Sequence, residues 1–366
     1  MDKAEFQQLQ KKLTGKAVPE RTLEVTRASD VEMEATEWLW QDRIPLGELT
    51  LLAGKEGIGK STIGFDLAAR ISTGTLLGNF YGKPRSVIVA ATEDDWAKTV
   101  TPRLVAAEAD LRRVLKVIIR QGDNRDQVSL PDDIGAMGDL IATEKVGLIL
   151  LDPLISRLSG TLNTHKDGDV RKALEPFVDL AHESSCGILG IIHVNKSTGQ
   201  SALNRVMGSK AFTAVSRSVL FVMEDPDDET VSIIGRPKTN LAVGHINSQR
   251  YTLETETVGF DERLQLPITT AKVIWGDETS KSIETLLKQS ESGEAGTGNR
   301  AVEWLREYLA DGEEHASAII KVEAKQAGLS ESALKRASLK LRLIIDRDGY
   351  QGTTWWKLPE TIDTAS

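Results

Sequence analysis

The nine residues GKEGIGKST, Gly54 to Thr62, constrain this chain more than any other stretch. They fit the pattern GxxxxGK[ST], follow the strand-like run LTLLA and precede a helical stretch from Thr62 to Ser72, which is the context the pattern needs. Such a match arises by chance in roughly one in a hundred chains of this length at ordinary glycine frequency. Glycines let backbone N–H groups turn inward around phosphates, and the following helix N-terminus adds partial positive charge. The nucleotide-holding set is therefore Gly54, Lys55, Glu56, Gly57, Ile58, Gly59, Lys60, Ser61 and Thr62. Lys60 is placed to reach the β and γ phosphates of ATP, and Ser61 to offer its hydroxyl to Mg²⁺.

Two further strands end in carboxylates. VGLILLDP, Val146 to Pro153, is a buried strand followed by Asp152, which suits a magnesium-orienting carboxylate beside the phosphate loop. ATEDD, Ala91 to Asp95, closes the strand SVIVA. Glu93 is the expected base toward the water that attacks the γ-phosphate, whereas Asp94 and Asp95 suit helix caps. IIHVNKS puts His193 at the end of another apolar strand, where it can sense the γ-phosphate and pass its presence onward. The loop from Asn195 to Arg205 carries Lys196 and Arg205 and leads into GSKAF, a composition suited to phosphodiester backbone or, equally, to a solvated loop.

At 366 residues the chain exceeds an average domain of about 150, so a large core plus a smaller module is expected. Its 45 basic and 54 acidic residues give a net charge of −9, which argues against coating nucleic acid through bulk charge. The single Cys186 excludes an internal disulfide and a cysteine zinc cluster, and it suits a core position. The apolar runs Val146 to Leu151 and Gly187 to Ile192 fall far short of the roughly 18 residues that cross a bilayer, and no membrane partner and a cytoplasmic location are expected.

The organisation follows from alternation. Residues 1–36 read as an arm, with Phe6, Leu9 and Leu13 on one helical face. Residues 37–275 alternate apolar strands with helices, which means α/β with a mainly parallel sheet, extended after Gly208 by antiparallel strands at Ser218 to Met223, Val231 to Gly235 and Gln249 to Glu254. Residues 276–299, ending KQSESGEAGTGN, read as a flexible linker. Residues 300–360 read as three helices and a hairpin, the order of a winged helix-turn-helix, with Lys335, Arg336, Lys340 and Arg342 on or after the third helix as candidate DNA contacts. Trp38 and Trp40 suit packing or adenine stacking; of Trp355 and Trp356, one suits the tail core and the other DNA.

The phosphate loop, Glu93, Asp152, the His193 strand and RVMGSKAFTAVSR together resemble the RecA-like P-loop NTPase core of the hexameric helicase superfamily. WLWQDRIPLGELTLLAGKEGIGKST and TEDDWAKTVTPRL are most similar to the plasmid and phage RepA-type AAA group, over about residues 36–255. The tail resembles the winged-helix extension of phage-borne members. The resemblance implies Mg²⁺-dependent ATP hydrolysis by a homo-oligomeric ring, hexamer favoured, working on single-stranded DNA in its channel, with duplex contact through the winged helix. It also implies a basic finger from the neighbouring subunit, for which Lys238, Arg236 and Arg217 are the candidates; their spacing departs from the lysine and arginine pair of bacterial replicative helicases. Two other readings share the core: a non-translocating ATPase such as a helicase loader or nucleotide-switched origin-binding protein, and a regulator with a degenerate site, against which the intact Lys60, Ser61, Glu93 and Asp152 count.

Overall fold

The computed structural model describes residues 23–195, 200–208, 210–242, 244, 246–291, 296–329, 331–347 and 352–359. Phe6, Leu9, Leu13, Lys196 and the side chain of Arg336 lie outside the described residues. The chain divides into two units, 1–36 and 37–366. In the first, residues 23–36 are exposed around one short helical turn, Ala28–Asp30.

In the second unit, runs rich in Val, Ile and Leu leave no polar face, so they form strands covered on both sides. Such runs, with more exposed strands beside them, make one nine-stranded sheet: β1 (Leu49–Gly54), β2 (Ser86–Ala91), β3 (Val114–Lys116), β4 (Val146–Asp152), β5 (Gly187–His193), β6 (Ser218–Asp225), β7 (Asp228–Thr239), β8 (Ser248–Asp261) and β9 (Leu266–Thr279). Their order is β9-β8-β7-β6-β1-β5-β4-β2-β3. From β6 to β3 every pairing is parallel, and β7, β8 and β9 are added antiparallel. β6 thus belongs to the parallel set rather than to the antiparallel extension expected from its short connection to β7.

The register decides the site. Gly54 pairs with both His193 and Val222, and Ala91 pairs with Asp152, so the carboxyl ends of β1, β5, β4 and β2 meet along one edge. Helices α1 (Lys60–Thr73) and α2 (Thr101–Ala106) cover one face, where Ile63, Leu67, Ile71 and Leu104 pack on the sheet. On the other face lie α3 (Ile134–Glu144), α4 (Asp167–Ser184), α5 (Ala211–Val215) and α6 (Ile283–Glu291), which bury Met137, Phe177, Phe212 and Leu286. Cys186 is buried in this second layer, as a small apolar side chain would be.

Two expectations need correction here. Residues 276–299 do not read as a continuous tether in the structure, because β9 runs to Thr279 and α6 follows, with Ile283, Leu286 and Leu287 buried in the core. The antiparallel extension also ends in a strand that the pattern does not show, β9, and β8 and β9 are each 14 residues long. Only Gln249 to Tyr251 of β8 pair with β7, so from Thr252 outward β8 and β9 form a two-stranded ribbon.

The tail contains α7 (Gly296–Tyr308), β10 (His315–Ala316), α8 (Ser317–Gln326), α9 (Glu331–Lys340), β11 (Ile344–Arg347) and β12 (Thr354–Lys357), with sheet order β10-β12-β11. Leu305, Leu309, Ile320, Leu334 and Ala337 form its core, and Trp356 plugs it from β12. Among the described residues no helix is long and apolar enough to cross a membrane.

Candidate functional site

The loop after β1 turns on two glycines, Gly57 at φ +75° and Gly59 at φ +95°, both in the left-handed region that disfavours a Cβ. A Cβ at Gly59 would also lie 2.8 Å from Leu253 Cδ1 of β8, a side-chain end that would have to move aside. Gly59→Ala is therefore expected to cost roughly 1–3 kcal/mol of stability. It should also weaken nucleotide affinity, which denaturant unfolding and a nucleotide titration would measure together. Wild-type values for both would contradict the geometry.

Lys60 opens α1 with its side chain drawn inward. Its ammonium donates to the Lys55 carbonyl at 2.6 Å and sits 3.4 Å from His193 Nδ1. Burial pushes its pKa down, against the pull of Asp152 and Glu56. His193 is also pushed down, first by burial and then by the Lys60 charge, so the neutral imidazole is favoured.

Asp152 is 9% exposed and its carboxylate is hydrogen-bonded by the Ser61 side chain. Burial pushes its pKa up to about 6, with Asp94 and Glu93 adding to the rise and Ser61 and Lys60 opposing it. A buried carboxylate facing two like charges is a place where a cation is electrostatically in demand. No cluster of three or more His, Cys, Asp or Glu fit to hold a metal exists among the described residues. Magnesium at a nucleotide site takes one or two side chains and shares its other positions with substrate phosphates and water. Ser61 and Asp152 fit that limited set.

The three acids after β2 separate by partner. Asp95 caps the following helical turn, accepting from the Lys98 N–H at 2.8 Å. Asp94 does not cap; it accepts from Arg103 at 3.0 Å. Glu93 is exposed, makes no hydrogen bond among the described residues, and lines a cavity of about 380 Å³ together with Lys60, Asp152 and His193. Arg103, Leu253 and Ala271 line the same cavity and were not among the residues expected from sequence. Arg103 could have been found from its place on the helical stretch after Glu93; Leu253 and Ala271 come from the ribbon, and nothing local marks them.

The remaining candidates fall elsewhere. Arg236 donates to the Asp42 carbonyl, Lys238 to the carbonyls of Thr213 and Ser216, and Arg217 lies 3.8 Å from Glu48. Lys238 pairs with Val219, and Ser218 pairs with Thr50, so Arg217 and Lys238 stand at the opposite end of the strands from their own phosphate loop. Arg205 corrects an expectation: it is 9% exposed, its Nε donates to the Gln200 carbonyl at 3.0 Å, and Val194 bridges Val206, so the loop folds its guanidinium inward. Lys335, Lys340 and Arg342 are exposed at α9 and its end. Trp38 and Trp40 pack instead of lining the cavity, with Trp40 5.7 Å from the Trp275 ring.

A family model described as an AAA domain matches residues 16–199, a span holding the phosphate loop, Glu93, Asp152 and His193. The chain belongs to the AAA domain family. No curated protein matches it. The AAA domain is a P-loop ATPase core, and the mainly parallel sheet sets the candidate residues Lys60, Glu93, Asp152 and His193 on one edge. Nucleotide-dependent ATPase activity is the activity this AAA domain supports.

Proposed function

We propose that this chain hydrolyses ATP with Mg²⁺ as one subunit of a ring, hexamer favoured, and serves as a replicative DNA helicase of a phage or mobile element acting on single-stranded DNA. The observation that carries the hydrolytic part is the meeting of Lys60, Glu93, Asp152 and His193 from four adjacent strand ends around one cavity. Lys60 and the backbone N–H groups of the loop hold the phosphates; Glu93, the acid without another partner, takes the proton of the attacking water. Ser61 and Asp152 would hold Mg²⁺, which when bound would supply charge neutralisation for phosphoryl transfer. His193 sits beside the Lys60 ammonium and at the head of the segment that leads to Arg205, so a change at the phosphate end reaches that loop.

Ring formation is supported by the finger candidates. Lys238 and Arg217 face away from their own loop, and a cation lowers the barrier only where it meets the γ-phosphate, so in this reading one of them or Arg236 serves the next subunit. The tail's order of helix, short strand, two helices and two strands supports a winged helix, with the exposed Lys335, Lys340 and Arg342 as the candidate phosphate contacts and α9 as the candidate groove helix.

One observation favours a second reading, a non-translocating ATPase such as a loader or origin-binding switch. Arg205, one of the two basic residues expected to meet DNA from this loop, is internal and bonded to the Gln200 carbonyl. ATP turnover with and without single-stranded DNA, run beside unwinding of a forked duplex, separates the two. The helicase reading expects stimulation of at least several-fold and ATP-dependent strand separation. Turnover without separation transfers the assignment to the switch.

A further inference from the structure

The phosphate loop is gripped from β8, on the far side of the antiparallel extension. Tyr251 is 1% exposed, and its hydroxyl donates to the Ile58 carbonyl at 2.7 Å across 193 positions of sequence. Two residues on and on the same strand face, Leu253 packs against Gly59. Burial pushes the Tyr251 phenol well above its ordinary value, so it remains a protonated donor throughout the neutral range.

The consequence lies in peptide geometry. The Ile58–Gly59 bond is not among the cis peptides of the chain, and in a planar trans peptide the carbonyl of one residue and the N–H of the next point in opposite directions. Holding the Ile58 oxygen under the ribbon turns the Gly59 N–H to the side of the loop away from the Tyr251 hydroxyl. Gly59 at φ +95° accepts either peptide orientation at small cost, so the loop itself does not fix this choice. The backbone holds Tyr251 in place, paired with Ser232 on one side and Trp275 on the other; separately, the Trp275 indole ties the ribbon to α1 by donating to Asp66 at 2.9 Å.

We propose that Tyr251 is a positioning residue for the phosphate loop, aiming the Gly59 N–H at the nucleotide's phosphates by holding the Ile58 carbonyl. The inference rests on the ATPase reading above and names a part of that site which lies outside the family-matched span of residues 16–199. The ligand it serves is the polyphosphate, whatever base is attached.

The test is Tyr251→Phe in the full chain, which keeps the ring and removes one hydroxyl. KM for ATP and the inhibition constant of inorganic tripolyphosphate should rise together by about tenfold, the size of one lost hydrogen bond to an oriented group, with kcat changed less than threefold. Unfolding temperature without nucleotide should stay within a few degrees. Trp275→Phe is the companion: it removes the bond to Asp66 on the same ribbon face, and should lower the unfolding temperature while leaving both constants within twofold. Constants unchanged in Tyr251→Phe overturn the proposal, as does an equal rise in Trp275→Phe, which would make the effect general loosening of the ribbon. A wild-type protein that neither turns over ATP nor binds tripolyphosphate removes the ATPase reading itself, an outcome distinct from failure at Tyr251.

Discussion

Glu93→Gln is expected to retain ATP affinity within about threefold while turnover falls by at least a hundredfold, the usual scale for loss of a general base. Three acids stand in a row after β2, and the structure separates them. Asp95 is committed to the Lys98 backbone N–H and Asp94 to the Arg103 guanidinium, so both carboxylates are already engaged. Glu93 reaches the cavity without such a partner. Gln keeps the size and removes only the ability to take a proton, so binding and chemistry should part company. Single-turnover hydrolysis beside a binding titration reads both. If Glu93→Gln turns over at the wild-type rate, the base is another group, and Asp94→Asn becomes the decisive variant.

Asp152→Asn should do two opposite things: remove Mg²⁺-dependent turnover by about a hundredfold or more, and make the nucleotide-free fold more stable. The carboxyl is raised from 3.8 to about 6 by burial, so its ionised form is disfavoured in the fold relative to the unfolded chain. For a raised acid, stability is greatest below the unfolded value, declines as pH climbs from 3.8 to about 6, and stays reduced above that. A shift of this size corresponds to about 3 kcal/mol, of which Asn should return the larger part because it carries no charge and can keep a bond with Ser61. Denaturant unfolding without divalent ions should show a gain of about 2 kcal/mol at pH 8 that shrinks toward zero near pH 4. A gain identical at both pH values would assign it to packing and remove the electrostatic account of the site.

How much of this was legible follows from what each segment is buried by. β1, β4 and β5 read as strands because both faces are covered and the sequence has no polar face to confuse the period. Their alternation with helices implies parallel strands, and that alone brings Gly54, Asp152 and His193 to one edge. β9 was illegible for the converse reason: Leu266 to Thr279 is mostly exposed on both faces, so neither period stands out. α6 was lost to averaging, since Ile283, Leu286 and Leu287 follow helical spacing but sit at the head of a stretch dominated by Ser, Gly and Glu. The inward turn of Arg205 depends on where a carbonyl five residues earlier comes to rest. Tyr251 looks like any strand aromatic until the phosphate loop is seen beneath it.

The ribbon beyond β7 has a mechanical consequence. It is pinned at Gln249 to Tyr251, tied to α1 through Trp275 and Asp66, and braced again where Lys272 meets Glu108 at 3.2 Å. From Thr252 to Asp261 it runs ten residues, about 34 Å at the rise of an extended strand. Its pivot sits on the phosphate loop, and its free end carries Phe260 and Leu266 into solvent. A small rotation at the pivot becomes a sweep of many ångströms at the tip, and a push on the tip returns to the loop as a small displacement applied with greater force. The arm works as a lever with unequal lengths.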